Sequence, residues 1–590
     1  MTAQIQQLQA QLARQPNDPG LYYELGRCYL AQQRAQEADM AFQQALRLAP
    51  DHPQILMQLG NVASLDGDEA RASRYFAASL QQDTAQPDVH FNLGNSLRKQ
   101  GQCAQAIQHY LQAIRLQPQD ADYHNNLGNA YREAGELALA VQAYEAALRI
   151  APGMLHAKVH WIHQKQHMAD WQGLAPAIEE VRQALQQNAK AQIPPFAFLA
   201  MPGTTDAEQT RCASAWAQQQ FGHVRPLPPP AARLKTQKIR LAYLSSDFRN
   251  HPLTHLVTDV IAAHDRQRFE VHLYSQAKTE DSAAQRQWRQ VADHWYEIST
   301  MADDQVASHM RETGIDILID LTGYTQNSRS GIAAYRPARH HINWLGYPGS
   351  MGYLHGQPLF DAIIVDDTLK LPALAERPIL LPCYQPNNAQ RPLAEAGTRA
   401  EHGLPEQAFV FCNFNQSFKI TEAMFSGWMH ILHAVPHSVL WLLESNRWAT
   451  EHLRQVASDA GIAIERLVFA PRTEIARHIA RQQHADLMLD TQPYNAHTTA
   501  SDALFMGVPI LTLEGTTFSA RVTASLLRSI GMESLICQEI ASYQHEAIRL
   551  ANEREFTSSI RSMIMKNKEK IFNPIMFCHS LEQALSQLLD

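Results

Sequence analysis

DLMLDTQPYNAHTTASDALFMGVPILTL, residues 486–513, reads as one complete structural unit. DLMLDT (486–491) is a short apolar run ending in polar residues, the pattern of a buried strand. An apolar helix follows the polar NAHTT, with Thr498 and Thr499 near its start, and VPILTL (508–513) is the next strand. Strand, helix and strand in this order imply a parallel sheet covered on both faces. Working upstream, FVFCNFN (409–415), SVLWLLE (438–444) and RLVFAP (466–471) have the same form. An earlier series comprises KIRLAYLSSDF (238–248), FEVHLYS (269–275), IDILIDLTG (315–323), HINWLGYPG (341–349) and DAIIVDD (361–367). Two consecutive series predict two Rossmann-like lobes with a cleft between them. Ligands in such folds bind beyond the carboxyl ends of the strands.

The first quarter of the chain follows a different rule. Gly26, Gly60, Gly94 and Gly128 stand 34 residues apart, each after a leucine. Twelve residues further on come Ala38, Ala72, Ala106 and Ala140, and four beyond those Phe42, Phe76, Tyr110 and Tyr144. Pro50, Pro118 and Pro152 close three of the units. This is the tetratricopeptide pattern of two antiparallel helices per repeat, which stacks into a solenoid with a concave groove. Such a groove holds a peptide or a partner chain. Asn92 and Asn126 precede the Leu-Gly pairs, and Asn61, Asn95 and Asn129 follow them. Carboxamides can bind a peptide backbone without reading its sequence. Either these Asn line the groove for a protein acceptor, or they are ordinary polar surface positions. RPLPPPAARLKTQ (225–237) is the clearest break in the chain. Trp161, Trp171 and Trp216, before it, are expected in helical cores.

The chain has 590 residues, 45% hydrophobic and 18% charged, which excludes a mainly disordered or fibrous protein. Lys and Arg number 50 against 58 Asp and Glu, so neither a general nucleic-acid binder nor an anionic-membrane binder is favoured. No apolar run approaches about 18 residues, and no signal peptide is legible at the start. Seven scattered cysteines without CxxC spacing argue against a disulfide framework or a zinc ribbon, and the expected compartment is a reducing cytosol. GxGxxG, GxxxxGK[ST] and GxSxG motifs are absent. The acidic pairs Asp303-Asp304 and Asp366-Asp367 are poor candidates for a metal site.

Three strand ends carry the chemistry. SSDFRNHPLTH (245–255) places Asp247, His251 and His255 just after a strand, where a histidine beside a carboxylate suits general-base work. CNFNQSFKIT (412–421) places Gln416 and Lys419 after another strand, with Thr421 as a helix cap; a lysine there suits a departing phosphate. Around residue 498, hydroxyls, unpaired backbone N–H groups and the helix dipole suit a diphosphate, and Asp502 one turn later suits a ribose hydroxyl.

Repeats followed by SSDFRNHPLTH, GYT, WLGYPG, CNFNQSFKI, SVLWLL and DTQPYNAHTTASDALFMGVPILTL resemble the O-linked N-acetylglucosamine transferase family over about residues 15–590. The resemblance implies a GT-B fold and an inverting, metal-independent transfer from a nucleotide sugar to Ser or Thr of proteins. By motif it implies that His251 contacts sugar and phosphate and that Asp247 relays the acceptor proton. Lys419 then neutralises the diphosphate beside Gln416; His497, Thr498 and Thr499 cradle it, and Asp502 holds the ribose. His478 and Arg481 stack on and read the uracil, Leu345, Gly346 and Pro348 form a sugar-side loop, and His223 is a loose match to an upstream histidine. No cofactor or metal is implied.

Tyr494 stands where the animal enzymes have a small Cys near the N-acetyl pocket, and plant relatives with PY-type motifs use GDP-fucose, so GlcNAc, glucose and fucose donors stay open. The animal enzymes' large insert is missing, with 390–405 expected to bridge the lobes directly. The expected organisation is a repeat domain over 1–152, a helical transition over 153–237, an N-terminal catalytic lobe over 238–390 and a nucleotide-sugar lobe over 391–590, whose last helices pack back across the lobes. The alternatives are a repeat scaffold with a degenerate catalytic half, or a GT-B enzyme acting on Asn or a glycan.

Overall fold

The structure, a computed structural model, describes residues 2–188, 190–231, 237–277, 279–280 and 282–589. Residues 232–236 of the Pro-rich break lie outside the described residues. The chain divides into two units, 1–164 and 165–590.

The first unit is built of antiparallel helix pairs. The four repeats are Pro19–Leu30 with Ala35–Leu48, Pro53–Leu65 with Glu69–Gln82, Pro87–Lys99 with Cys103–Leu116, and Ala121–Glu133 with Leu137–Ile150. Proline at the first turn costs no hydrogen bond there, which is why three of these pairs open on it. The repeat glycines are required by the aromatic sixteen residues on. A Cβ on Gly26, Gly60, Gly94 or Gly128 would sit 2.5–2.7 Å from the ring of Phe42, Phe76, Tyr110 or Tyr144. Ala38, Ala72, Ala106 and Ala140 are fully buried beside them. Gly60→Val therefore overpacks a filled site. The expected cost is about 1–3 kcal/mol, read as a lower melting temperature, and an unchanged melting curve would contradict this packing. The sequence start forms one helix that the repeat pattern does not announce, Thr2–Leu12, which buries Ile5, Leu8 and Leu12.

The second unit holds two parallel sheets. The first contains β1 (Ile239–Ser245), β2 (Phe269–Ser275), β3 (His294–Glu297), β4 (Ile317–Asp320), β5 (His340–Asn343), β8 (Ala362–Val365) and β9 (Arg377–Leu380), in the order β3-β2-β1-β4-β5-β8-β9. A small antiparallel hairpin, β6 (Tyr353–Leu354) and β7 (Gln357–Pro358), interrupts the series. The second sheet contains β10 (Phe409–Asn413), β11 (Ser438–Leu443), β12 (Leu467–Ala470), β13 (Leu487–Leu489), β14 (Ile510–Leu513) and β15 (Ile536–Cys537), in the order β12-β11-β10-β13-β14-β15. Each sheet reverses its winding once, between β1 and β4 and between β10 and β13. At such switch points the two outgoing loops diverge and leave a crevice.

The lobes are joined by more than the connecting segment. Phe518 and Val522, which follow β14, are buried in the core of the first sheet. The helix Pro574–Gln587 also returns to that core with Cys578, Leu581 and Leu585. Its Glu582 accepts from His264 Nδ1 (3.0 Å) and from the Asp265 N–H (2.8 Å). Burying Leu581 and Leu585 completely contributes about 1.5–3 kcal/mol each. The expected return of the C-terminal helices is thus present. Before β1, the helix Asp206–Phe221, opened by a Thr205/Glu208 capping box, packs Ala213 and Ala217 on the other face of the first sheet.

The tryptophans correct one expectation. Trp161, Trp171 and Trp216 are only partly buried, whereas Trp288, Trp344, Trp428 and Trp441 fill the cores. An indole at a helix edge keeps its N–H for a polar partner, as Trp171 does with the Ile420 carbonyl at 3.1 Å. All seven cysteines are unpaired.

Candidate active site

Of the predicted residues, Asp247 and His251 fall on the loop after β1, and Gln416, Lys419, Tyr494 and His497 on the loops after β10 and β13, at the two switch points. In the first lobe, Asp247 and His251 follow β1. Asp247 accepts from Arg249 at 3.3 Å, and its other oxygen lies 3.8 Å from His251 Nδ1. His251 Nδ1 accepts from the Leu253 N–H (3.3 Å). Burial lowers the His251 pKa and Asp247 opposes that shift. His255 is on the next helix, Thr254–Ala262, and burial with nearby Arg391 brings its pKa down to about 4. The β4 loop is held from below by Asp320, which accepts from the Thr322 and Gly323 N–H groups (2.8 and 3.1 Å) and from Ser330 (2.7 Å). The loop after β5 carries Leu345 in the left-handed region, with φ 70°. A Cβ on Gly346 would lie 2.3 Å from the Leu321 carbonyl oxygen, so only glycine fits against the β4 loop. Pro348 is buried in the same loop. Buried Glu376 accepts from Ser350 (2.7 Å) and the Met351 N–H, fixing the loop's far end.

The second lobe repeats the arrangement. Asp490, just past β13, accepts from the Thr491 and Ala496 N–H groups (2.8 and 2.7 Å) and from Thr512 (2.8 Å). Asn415 Nδ2 reaches Thr491 (3.0 Å) and ties the two switch-point loops together. Lys419 closes the short turn Ser417–Lys419, donates to the Asn495 carbonyl (2.8 Å) and lies 3.9 Å above the Tyr494 ring. Burial pushes its pKa down, against the pull of Asp490. Tyr494 is committed to an aromatic cluster with Phe196, Phe418 and His497. His497 donates from Nε2 to the Ser519 carbonyl (3.2 Å), since a carbonyl only accepts, and burial and Lys419 hold its ring neutral. His497 is also the N-cap of the helix Thr498–Phe505 but makes no side-chain cap bond there. The first-turn N–H groups of Thr498 and Thr499 are therefore not capped by that side chain. Thr421 caps its helix as expected, accepting from the Met424 N–H.

Asp502 is almost fully buried, and its Oδ1 has no hydrogen-bond partner among the described residues. Arg391 lies 3.7 Å away, and burial raises the Asp502 pKa to about 6. Arg391 was not legible as a site residue. It sits in a polar run of the connecting segment, where only the fold turns it inward. Its guanidinium also donates to the His255 carbonyl (2.7 Å) and Asn387 (3.0 Å). Asn388 adds bonds to the Thr254 carbonyl (2.9 Å) and the Asp259 N–H (3.1 Å), and Gln385 reaches Ser501. The tight bridge between the lobes is therefore 384–391, which begins earlier than the expected 390–405.

Arg481, expected to read the uracil with His478, stands beside that histidine. It is buried, donates to His478 Nδ1 (2.6 Å) and the Pro471 carbonyl (2.8 Å), and stacks on Phe414. Its donor leaves His478 with the proton on Nε2. Gln416 accepts from Arg472 (3.1 Å) at the turn's edge. His223 is exposed beyond the helix Asp206–Phe221, and no hydrogen bond among the described residues ties it to Asp247, His251 or Lys419. In the repeat unit, Asn95 and Asn129 accept from Tyr110 and Tyr144 (2.7 and 2.9 Å). Asn92 donates to Asn61 (3.1 Å), and Asn126 to its own helix at Asp122 (3.0 Å). Each thus has an internal partner. Asp303 pairs with Arg329, and Asp366 caps backbone N–H groups, so neither acidic pair is assembled for a metal.

Glycosyl transferase family 41 matches residues 217–376 and 388–581, and tetratricopeptide repeat families match 19–52 and 91–154. A probable UDP-N-acetylglucosamine–peptide N-acetylglucosaminyltransferase SEC of Arabidopsis thaliana is 32% identical over 323 residues, covering 53% of this chain and 33% of that protein. The UDP-N-acetylglucosamine–peptide N-acetylglucosaminyltransferase of Caenorhabditis elegans is 26% identical over 468 residues, covering 60% and 41%. The chain thus spans less than half the length of these relatives. A solved mutant of the Thermobaculum terrenum O-GlcNAc transferase is 25% identical with a TM-score of 0.66, covering 92% of this chain and 98% of that one.

Proposed function

The chain belongs to glycosyl transferase family 41, and from that premise we propose that it is an inverting, metal-independent protein O-glycosyltransferase. It takes a UDP-sugar, with GlcNAc or another hexose, and glycosylates Ser or Thr of protein acceptors held by the repeat groove. The observation that carries this reading is the second switch point. There Lys419, the start of the helix Thr498–Phe505 and Asp502, whose Oδ1 accepts no hydrogen bond among the described residues and faces Arg391 at 3.7 Å, all belong to the crevice loops or to the first turns that leave them.

The chemistry follows from those groups. The acceptor hydroxyl oxygen bonds to the anomeric carbon as the bond from that carbon to the phosphate oxygen breaks, from opposite faces, so the configuration inverts. The leaving diphosphate gathers negative charge, which the Lys419 ammonium and the helix N–H groups stabilise. Asp247 takes up the hydroxyl proton late in the reaction, and His251 orients sugar and phosphate. His478, with its proton on Nε2, presents a donor to the uracil.

A thermal-shift panel with UDP, GDP, UDP-GlcNAc, UDP-glucose and GDP-fucose tests the reading. A ligand at about 100 times its Kd stabilises by about 2.7 kcal/mol. Selective stabilisation by the uridine compounds is expected. A GDP preference would move the donor to the fucose-type branch, and no shift at all would favour the scaffold reading. Lys419 adds a pH signature. Burial brings its pKa to about 7, and an arriving diphosphate raises it again. UDP binding should therefore take up a proton at pH 8, weaken as pH rises above about 7, and take up none through Lys419 at pH 6. Calorimetry in two buffers of different ionisation enthalpy reads this uptake. Equal heats in both buffers at pH 8 would contradict it.

A further inference from the structure

Away from the crevice, β2 and β3 assemble a second constellation. Glu270 and His272 are two residues apart on β2 and share one face of the sheet. His294, the first residue of β3, lies directly opposite His272 in the parallel register. The two imidazoles stack at 4.5 Å with 21° between their planes. Glu270 Oε1 is 2.8 Å from His294 Nε2 and 3.6 Å from His272 Nε2, and the three ligating atoms all lie within 4.8 Å of one another. His272 is only 2% exposed, yet its Nε2 has no hydrogen-bond partner among the described residues. An orphaned imidazole nitrogen in a buried position costs free energy unless something occupies it.

The surroundings orient the same three atoms. Arg240, opposite Glu270 on β1, donates to its other oxygen at 3.2 Å and leaves Oε1 facing the histidines. The Tyr296 hydroxyl is 3.3 Å from His272 Nδ1, the outer contact that sets which nitrogen is offered inward. The His294 ring is 45% exposed and gives access from solvent. We propose that Glu270, His272 and His294 form a binding site for a divalent transition ion of the zinc class. Two imidazoles and a carboxylate suit zinc, nickel or copper, and not calcium or magnesium. With bonds of about 2.0–2.2 Å the ligand atoms stand about 3.3 Å apart, so the exposed His294 ring must swing off its 2.8 Å hydrogen bond to Glu270 and toward His272. The site lies toward the N-terminal ends of β2 and β3, whereas the crevice loops leave the C-terminal ends of β1 and β4. Its role is structural: a staple that ties the edge strand β3 to β2.

A second cluster, His264, Cys578 and Glu582, is the natural competitor. It is fully buried, and both His264 nitrogens already have partners, the Tyr243 hydroxyl (2.8 Å) and Glu582 (3.0 Å). Equilibrium dialysis of the full chain against zinc chloride separates the two. The expected result is about one tightly held ion per chain, with affinity lowered at least about tenfold in His294→Ala and in Glu270→Gln, and unchanged in Cys578→Ser. Circular dichroism establishes that each variant is folded. Cobalt(II) in place of zinc should give visible d–d bands without a thiolate charge-transfer band. No tight ion in the wild type, binding unaltered in folded His294→Ala, or a thiolate band lost in Cys578→Ser would each overturn the assignment.

Discussion

Lys419→Ala should lower turnover about a hundred- to a thousandfold while the chain stays folded. That range is typical for removing one preorganised group that stabilises developing negative charge. Three features of the site support Lys419 in this role. It is held by the Asn495 carbonyl at 2.8 Å and by the Tyr494 ring at 3.9 Å, so its position is set before substrate arrives. Burial makes its charge costly in the free protein, and an arriving diphosphate relieves that cost. The leaving diphosphate carries more charge in the transition state than in the bound donor, so kcat should fall by more than KM rises. The melting temperature should stay close to the wild type's, because the desolvation cost removed with a buried cation is offset by the loss of its bond to the Asn495 carbonyl and of its attraction to Asp490. The assay is release of the nucleoside diphosphate from whichever donor gives the largest thermal shift, counting hydrolysis together with transfer. Wild-type turnover in a folded Lys419→Ala protein would remove Lys419 from the mechanism.

Arg391→Ala is expected to be the most damaging change to stability, at about 3–5 kcal/mol, the usual cost of leaving a buried charge without its partner. The Arg391 side chain is fully buried, faces Asp502 at 3.7 Å, and bonds the His255 carbonyl and Asn387. Its loss leaves Asp502 in the same apolar surroundings with nothing to oppose protonation, so the Asp502 pKa should climb further above about 6. Nucleotide affinity should then fall through the ribose contact as well. Arg391→Lys should rescue only part of the loss, because an ammonium cannot make the two forked bonds. In a double-mutant cycle with Asp502→Ala, the costs measured by chemical denaturation should be clearly less than additive. Additive costs would show that the two side chains do not depend on one another.

The fold was largely legible because its signals are local. A 34-residue repeat of Gly, Ala and an aromatic needs no tertiary information to be read, since one aromatic fills the space over one glycine within a single hairpin. The ten apolar runs read as strands all became strands of the two sheets. The strands that escaped are β3 (HWYE), β9 (RPIL) and β15 (IC), together with the hairpin β6–β7. β3, β9 and β15 lie at sheet edges, where one side needs no hydrogen-bond partner and apolar patterning is not demanded. The site is a mixed case. Asp247, His251, Lys419 and Thr498 were singled out because strand ends are visible in sequence and polar residues collect there, His497 by resemblance alone, and the structure sets all five at or just beyond strand ends.

By itself, the sequence determined the repeat unit, the two parallel sheets, and which strand ends carry the polar residues, because periodicity and burial pattern are properties of short segments. Only the tertiary structure decided that Arg391 meets Asp502, that Arg481 turns inward beside His478, and that Pro574–Gln587 closes the core of the first sheet. It also decided that His272 meets His294 across a strand the sequence does not mark. Each of these is a contact between segments far apart in the chain or a choice of side-chain direction. Such contacts are set by which buried groups must find a partner once water is excluded, and no local pattern encodes that.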